Sequence, residues 1–122
     1  MNDTERRLPT ILKQHPLLTH FGFGEWERPF IATEKGQSDL LAAIAEINHA
    51  RAWLQTQQPR LTLNPRRSSY GLKHIAERAA GSYISNGAFI AAALLEGWTV
   101  KRIPGGNPNA WLNISEKGLR RR

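Results

Sequence analysis

The spacing of apolar residues predicts three helices in the middle of the chain. From Ser38 to about Gln58, leucine and isoleucine recur at helical intervals behind a serine suited to an N-cap, and Pro59 ends the pattern. A second amphipathic helix is predicted over 69–80, with Gly81 as its left-handed cap. Its outward face is predicted to carry Lys73, His74, Glu77 and Arg78. A short turn then leads to a third helix, predicted over 87–96.

Outside these helices the pattern changes to alternation. The segments "WTVKRI" and "AWLNIS" alternate apolar and polar residues around the turn-rich "PGGNPN", which predicts a β-hairpin. Nearer the N-terminus, "LPTILKQHP" predicts a short helix with Pro9 in its first turn and Pro16 at its end. The segment "LLTHFGFGEWERPFIAT" predicts irregular backbone or short extended pieces.

Together these elements predict an α+β fold that is mainly α, with a helical pair followed by a C-terminal β-hairpin. The length of 122 residues suits a single domain, 1–122. We expect 1–7 and 116–122 to be disordered, and 59–68 to be a linker before the C-terminal part. The helix over 38–58 is expected to pack across the two helices that follow it.

The segment "HIAERAAGSYISNGAFIAAAL" resembles the helix-turn-helix pattern. Ala76 lies inside the first helix, Gly81 lies in the turn about one residue later than usual, and Ile84 and Phe89 take inward positions. With the hairpin after it, the resemblance implies a winged-helix-like fold and a DNA-binding function. It also implies that the helix over 87–96 occupies the place of a recognition helix.

The composition of that helix argues against base reading. Apolar side chains lie on all its faces, as is typical of a buried helix, whereas major-groove readout needs Arg, Lys, Asn or Gln along its length. Its first turn, Ser85, Asn86 and Gly87, predicts either a phosphate site at the positive end of the helix dipole or an ordinary N-cap.

The net charge of +7 lies in one half of the chain. The first 58 residues carry six Lys/Arg and seven Asp/Glu, whereas the remainder carries eleven Lys/Arg and three Asp/Glu. A basic half of this kind indicates contact with a polyanion, and a solvated surface is the alternative.

We therefore predict a non-enzymatic accessory protein that binds nucleic acid, with double-stranded DNA as partner. Contacts to the phosphate backbone would make binding salt-dependent and weakly sequence-specific. The candidate residues surround the apolar helix, and they are Arg66, Arg67, Lys73, His74, Arg78, Ser85, Asn86, Lys101 and Arg102.

The sequence predicts no enzyme, no metal and no cofactor. Cysteine is absent, the four histidines lie at scattered spacings, and neither a phosphate-binding P-loop nor a nucleophile elbow occurs. The alternative is a catalytic site assembled from distant residues, for example His20 with Glu25.

The alternative function is that of a protein–protein adaptor or an inhibitor of a host system. Phe21, Phe23 and Trp26 form either an exposed docking patch or a cap on the core. The stretches "SSYGLKH", "SNGAFIAAALLEGW" and "NPNAWLNIS" are similar to small uncharacterised proteins of bacterial plasmids and integrated mobile elements. That resemblance implies a bacterial, cytoplasmic protein. The sequence has no apolar run of about 18 residues, so it predicts no membrane span.

Overall fold

The computed structural model describes residues 1–24 and 30–119. Helices dominate this part of the chain, and two short antiparallel hairpins complete it, which confirms the predicted mainly α, α+β fold. In chain order the elements are α1 (Asp3–Gln14), β1 (Leu18–Thr19), β2 (Gly22–Phe23), α2 (Phe30–Leu41), α3 (Ile44–Leu54), α4 (Ser69–Ala80), α5 (Asn86–Leu95), β3 (Val100–Arg102) and β4 (Ala110–Leu112).

Helix α1 begins five residues earlier than the sequence predicted. The Asn2 side chain accepts a hydrogen bond from the backbone N–H of Glu5, and the Glu5 carboxylate accepts one from Asn2, which forms a capping box. Leu8 and Leu12 are buried in the core, where α1 packs against α5. The expected disorder of residues 1–7 is therefore wrong. Pro9 lies inside the helix, not in its first turn.

The helix predicted over 38–58 is divided into α2 and α3. Ser38 lies within α2, so its assignment as an N-cap is wrong, and the chain leaves helical geometry at Ala43. Alanines favour helix locally, so nothing in the sequence predicts this break. The break allows Leu40 of α2 and Ile47 of α3 to enter the same core from two directions.

Helices α4 and α5 have the caps that the sequence predicted. Ser68 and Ser85 accept hydrogen bonds from the first turns of their helices, and Gly81 takes the left-handed conformation that ends α4. Helix α5 is buried over 86–93, with α3, α4 and α1 packed around it. Helix α3 thus packs across α4 and α5 as predicted.

The predicted linker is part of the packed structure. The backbone N–H of Arg60 donates to the carbonyl of Asn113 at 2.8 Å, and a bridge joins Pro59 to Ile114. The segment therefore lies beside the residues that follow β4, at the edge of the β3–β4 hairpin.

The described C-terminal residues are also anchored. Leu119 is buried in the core, and the Glu116 side chain bonds to neighbouring residues, so the disorder expected from residue 116 does not extend over 116–119. Residues 120–122, the rest of that predicted tail, lie outside the described residues. Within the described ranges, no helix is long and apolar enough to cross a bilayer.

Candidate nucleic-acid interface

Arg66 and Arg67 precede α4 but have different roles. Arg67 donates to Glu116 through both Nε (3.2 Å) and Nη2 (2.9 Å), and Asn64 donates to the same carboxylate at 2.7 Å. Arg67 and then Asn64 lower the pKa of Glu116 to about 2, so the carboxylate is charged at neutral pH. Arg66 is exposed to solvent. Arg67 is therefore largely a structural residue, and Arg66 is a surface residue.

The sequence predicted that Lys73 faces outward, and this is wrong. Its side chain is only 5% exposed, and Nζ lies 3.1 Å from Oε2 of Glu77. The rings of Tyr70 and Tyr83 lie close to the same ammonium group. Burial raises the pKa of Glu77, but the N–H of Ile84 and the Lys73 ammonium outweigh it, and the net pKa is lowered. Lys73 is thus neutralised by a charged partner and is not presented to a ligand.

His74 and Arg78 lie on the exposed side of α4. Nδ1 of His74 is 2.8 Å from Oε1 of Glu77, and since an ionised carboxylate only accepts, this nitrogen carries the proton. The imidazole is partly exposed and Arg78 is fully on the surface. Both residues are accessible, as the sequence predicted.

The first turn of α5 is closed to a phosphate. Ser85 and Asn86 are buried, and the Asn86 side-chain amide donates to the backbone carbonyl of Phe21 at 3.1 Å. The N–H of Gly87 donates to the carbonyl of His20 at 3.0 Å. The carbonyl of the first hairpin therefore occupies the position that an anion would take at this helix end. Ser85 and Asn86 are structural residues, and assigning them to the interface is wrong.

Lys101 and Arg102 lie on opposite faces of the second hairpin. Arg102 turns inward, where Nη2 donates to the carbonyl of Gly24 at 2.6 Å and the guanidinium lies over the ring of Phe23. Lys101 is exposed and pairs across the strands with Trp111 on the outer face. Arg102 thus joins the hairpin to the N-terminal segment. Helix α4 packs against β4 from the core side, so its exposed surface and Lys101 do not form one face.

A different set of basic residues lies on β3, on the segment paired beside β4, and just after that segment and β4 in the chain. Arg60 lies on the extended segment beside β4, Arg66 follows that segment, Lys101 lies on β3, and Lys117 follows β4. All four are exposed, and we refer to them as the sheet-edge basic set. Arg60 and Lys117 were not among the sequence-based candidates. Arg60 directly follows Pro59, which ends the predicted helix. That its segment is extended becomes clear only from its pairing with the residues that follow β4.

The acidic residues of the basic half are each engaged in an ion pair. Glu77 pairs with Lys73, and Glu116 pairs with Arg67. Glu96 is 2.6 Å from Nε of Arg51, which lies on α3 outside the basic half. Because these carboxylates are paired with other basic residues, they do not neutralise the sheet-edge basic set.

The aromatic residues of the alternative function are separated by the fold. Phe21 is 75% exposed in the turn between β1 and β2, whereas Phe23 is partly buried against the core. Trp26 lies outside the described residues. Phe21 is therefore the accessible aromatic residue of this group that the structure places.

The described residues also bear on metal and catalytic sites. Among residues 1–24 and 30–119, no three His, Asp or Glu side chains are grouped as a metal site would require. Glu25, which the sequence suggested as the partner of His20 in a catalytic site, lies outside the described residues.

Comparisons of this chain with protein-family models, curated proteins and solved structures found no match.

Proposed function

We propose that the protein is a non-enzymatic accessory factor that binds double-stranded DNA through the sheet-edge basic set. The observation that carries this proposal is that, among the described residues, the acidic residues of the C-terminal half are paired, whereas several of its basic residues are not. Its three carboxylates are held in ion pairs, while the four side chains of the sheet-edge basic set remain exposed. An uncompensated positive surface of this kind attracts the phosphate backbone and releases its counterions.

The proposed mode of binding does not use α5. That helix occupies the position of a recognition helix, but its faces are packed in the core and its first turn is bonded to the first hairpin. Contacts would therefore be made to phosphates and sugars, which position a protein on DNA without reading its sequence. A bacterial, cytoplasmic setting and carriage on a mobile element belong to the same proposal and rest on the sequence resemblances.

Duplex binding at two salt concentrations tests this proposal. We expect single substitutions Arg66→Glu and Lys101→Glu to weaken binding of a labelled duplex, measured by fluorescence anisotropy at about 50 and 200 mM salt. Each should also reduce the salt dependence, because each removes about one phosphate contact. Lys13→Glu makes the same change in net charge at an exposed position of α1 and is the matched control.

Two results would contradict the proposal. One is the absence of salt-dependent duplex binding at about 1–100 μM, the range of ordinary non-specific binding at physiological salt. The other is an equal loss of affinity in Lys13→Glu and Lys101→Glu, which would show that net charge and not placement controls binding.

The alternative proposal, an adaptor or inhibitor that binds another protein, is favoured by the exposure of Phe21. A large aromatic side chain in a tight turn is a suitable anchor for a protein interface. Because such a contact is mainly apolar, it would persist at high salt, whereas binding to phosphates would not.

A further inference from the structure

The exposed side of α4 and the turn after it enclose a shallow cleft. Its volume is about 410 Å³, and it is lined by His74, Glu77, Arg78, Gly81, Ser82 and Tyr83. The cleft lies on α4, apart from the sheet-edge basic set.

Tyr83 lines this cleft, and both it and Tyr70 lie near the same lysine, Lys73. Tyr70 is 52% exposed and Tyr83 is 60% exposed, although both rings approach the buried ammonium group of Lys73, at 5.2 Å and 4.7 Å from their centroids. The ammonium group lies near both rings, and the imidazole of His74 packs edge-on against the ring of Tyr70, with 4.5 Å between their centroids. An aromatic ring held in this way offers a stacking surface whose position is already set.

The cleft also offers donors to an anion. The Glu77 carboxylate also lines the cleft, but it is bonded to Lys73, His74 and the N–H of Ile84. The exposed Arg78 is therefore the charged group of the lining that is left to bind an anion. Within the part of the chain that the structure describes, the backbone N–H groups of Ser82 and Tyr83 donate to no protein acceptor. The binding of His74 to Glu77 through Nδ1 leaves Nε2 as the ring nitrogen available to a ligand.

We propose that this cleft binds a nucleoside phosphate, with the base stacked on Tyr83 and the phosphate held by Arg78 and the N–H groups of the turn. A flat aromatic surface beside phosphate donors matches the two parts of such a ligand. The source is either a free nucleotide or the unpaired end of a bound strand, and the second source rests on the proposed DNA-binding function.

Adenosine monophosphate is the probe for the first source, with binding to the full-length protein measured by calorimetry. Tyr83→Leu and Arg78→Gln should each lower the affinity about tenfold or more, as expected for a lost stacking contact or charge-assisted bond. Phe21→Leu and Lys13→Gln are the control variants, since they alter an exposed aromatic residue and an exposed basic residue elsewhere. The controls should bind like the unaltered protein, and circular dichroism should confirm that all variants fold.

The second source is tested with two DNA duplexes, one blunt and one with a 5′-phosphorylated single-stranded overhang. Tighter binding of the overhang that disappears in Tyr83→Leu would assign the cleft to strand ends. Binding of adenosine monophosphate that disappears in the same variant would assign it to free nucleotides. Either result supports the proposal.

Three results would overturn it. The first is the absence of both nucleotide binding and any preference for the overhang, whatever the affinity for the blunt duplex. The second is binding of adenosine or phenyl phosphate as tight as that of the nucleotide, because one lacks the phosphate and the other lacks the base. The third is an equal loss of affinity in the control variants. The DNA-binding proposal is tested separately, by measuring how tightly the Lys101→Glu variant binds the blunt duplex.

Discussion

Gly87 shows how a single residue fixes the contact between the N-terminal segment and α5. A side chain at this position would overlap the carbonyl oxygen of Thr19 and the backbone of His20. The absence of a Cβ therefore allows the first hairpin to approach the helix end closely enough for its carbonyl to bond the N–H of Gly87.

We expect Gly87→Ala to lower the free energy of unfolding by about 3 kcal/mol or more, since backbone atoms must move to accept the methyl group. Gly71→Ala is the matched control, because Gly71 also lies in the first turn of a helix but has open space around it. That change should stabilise the protein by about 0.5–1 kcal/mol. Chemical denaturation measures both, and similar effects of the two variants would contradict the close approach.

Glu116 connects the stability of the protein to pH. Its pKa is about 2 in the folded protein and 4.5 in the absence of its partners. Because folding lowers this pKa, the stabilisation is fully present above pH 4.5 and is lost as the pH falls toward 2.

Glu116→Gln should lower the free energy of unfolding by about 1–3 kcal/mol at neutral pH. The difference from the unaltered protein should shrink as the pH falls from 4.5 toward 2, which denaturation curves at several pH values would reveal. Glu34→Gln, at an exposed position on α2, is the control and should have little effect. A pH-independent difference would show that Glu116 acts by packing and not by charge.

At the scale of elements, α5 is the central helix. Ala92 is fully buried in it, with α3 on one side and α1 on another. The apolar composition of this helix matches its surroundings, because a helix packed on all sides has no face that needs to be polar.

Ala92→Asp should cost about 3–5 kcal/mol, enough to unfold a domain of ordinary stability, since it buries an unpaired charge. Ala52→Asp introduces the same group at an exposed position of α3 and should cost less than about 1 kcal/mol. Thermal unfolding followed by circular dichroism distinguishes the two. An Ala92→Asp variant with unchanged melting would place this helix at the surface.

At the scale of the molecule, the N-terminal segment packs onto the central helix α5. Helix α1 buries Leu8 and Leu12 against α5, and the Arg51 side chain joins Asp3 to Glu96. This side of α5 is therefore covered by the protein's own N-terminal segment.

Removal of residues 1–16 should therefore destabilise the whole protein. Exposure of the apolar side of α5 together with the loss of two buried leucines should cost about 5 kcal/mol or more, comparable to the total stability of a small domain. A truncated protein that unfolds cooperatively at the same temperature as the full chain would show that α1 is dispensable.

The sequence by itself determined the elements whose signals are local. Ser68 and Gly81 mark the two ends of α4, Ser85 marks the start of α5, and alternation around the glycine turn marks the hairpin. These signals are local because caps and periodicity depend on residues within one or two turns. The burial of α5 also followed from its composition.

Tertiary structure alone decided the features that depend on distant segments. The helix break at Ala43 lies in a run of good helix formers, and Lys73 is buried because Tyr83 returns to it from the turn. The first turn of α5 resembles an anion site in sequence, but the carbonyl of His20 fills it. The pattern of residues along a helix gives its faces, whereas the identity of the group covering each face depends on the path of the rest of the chain.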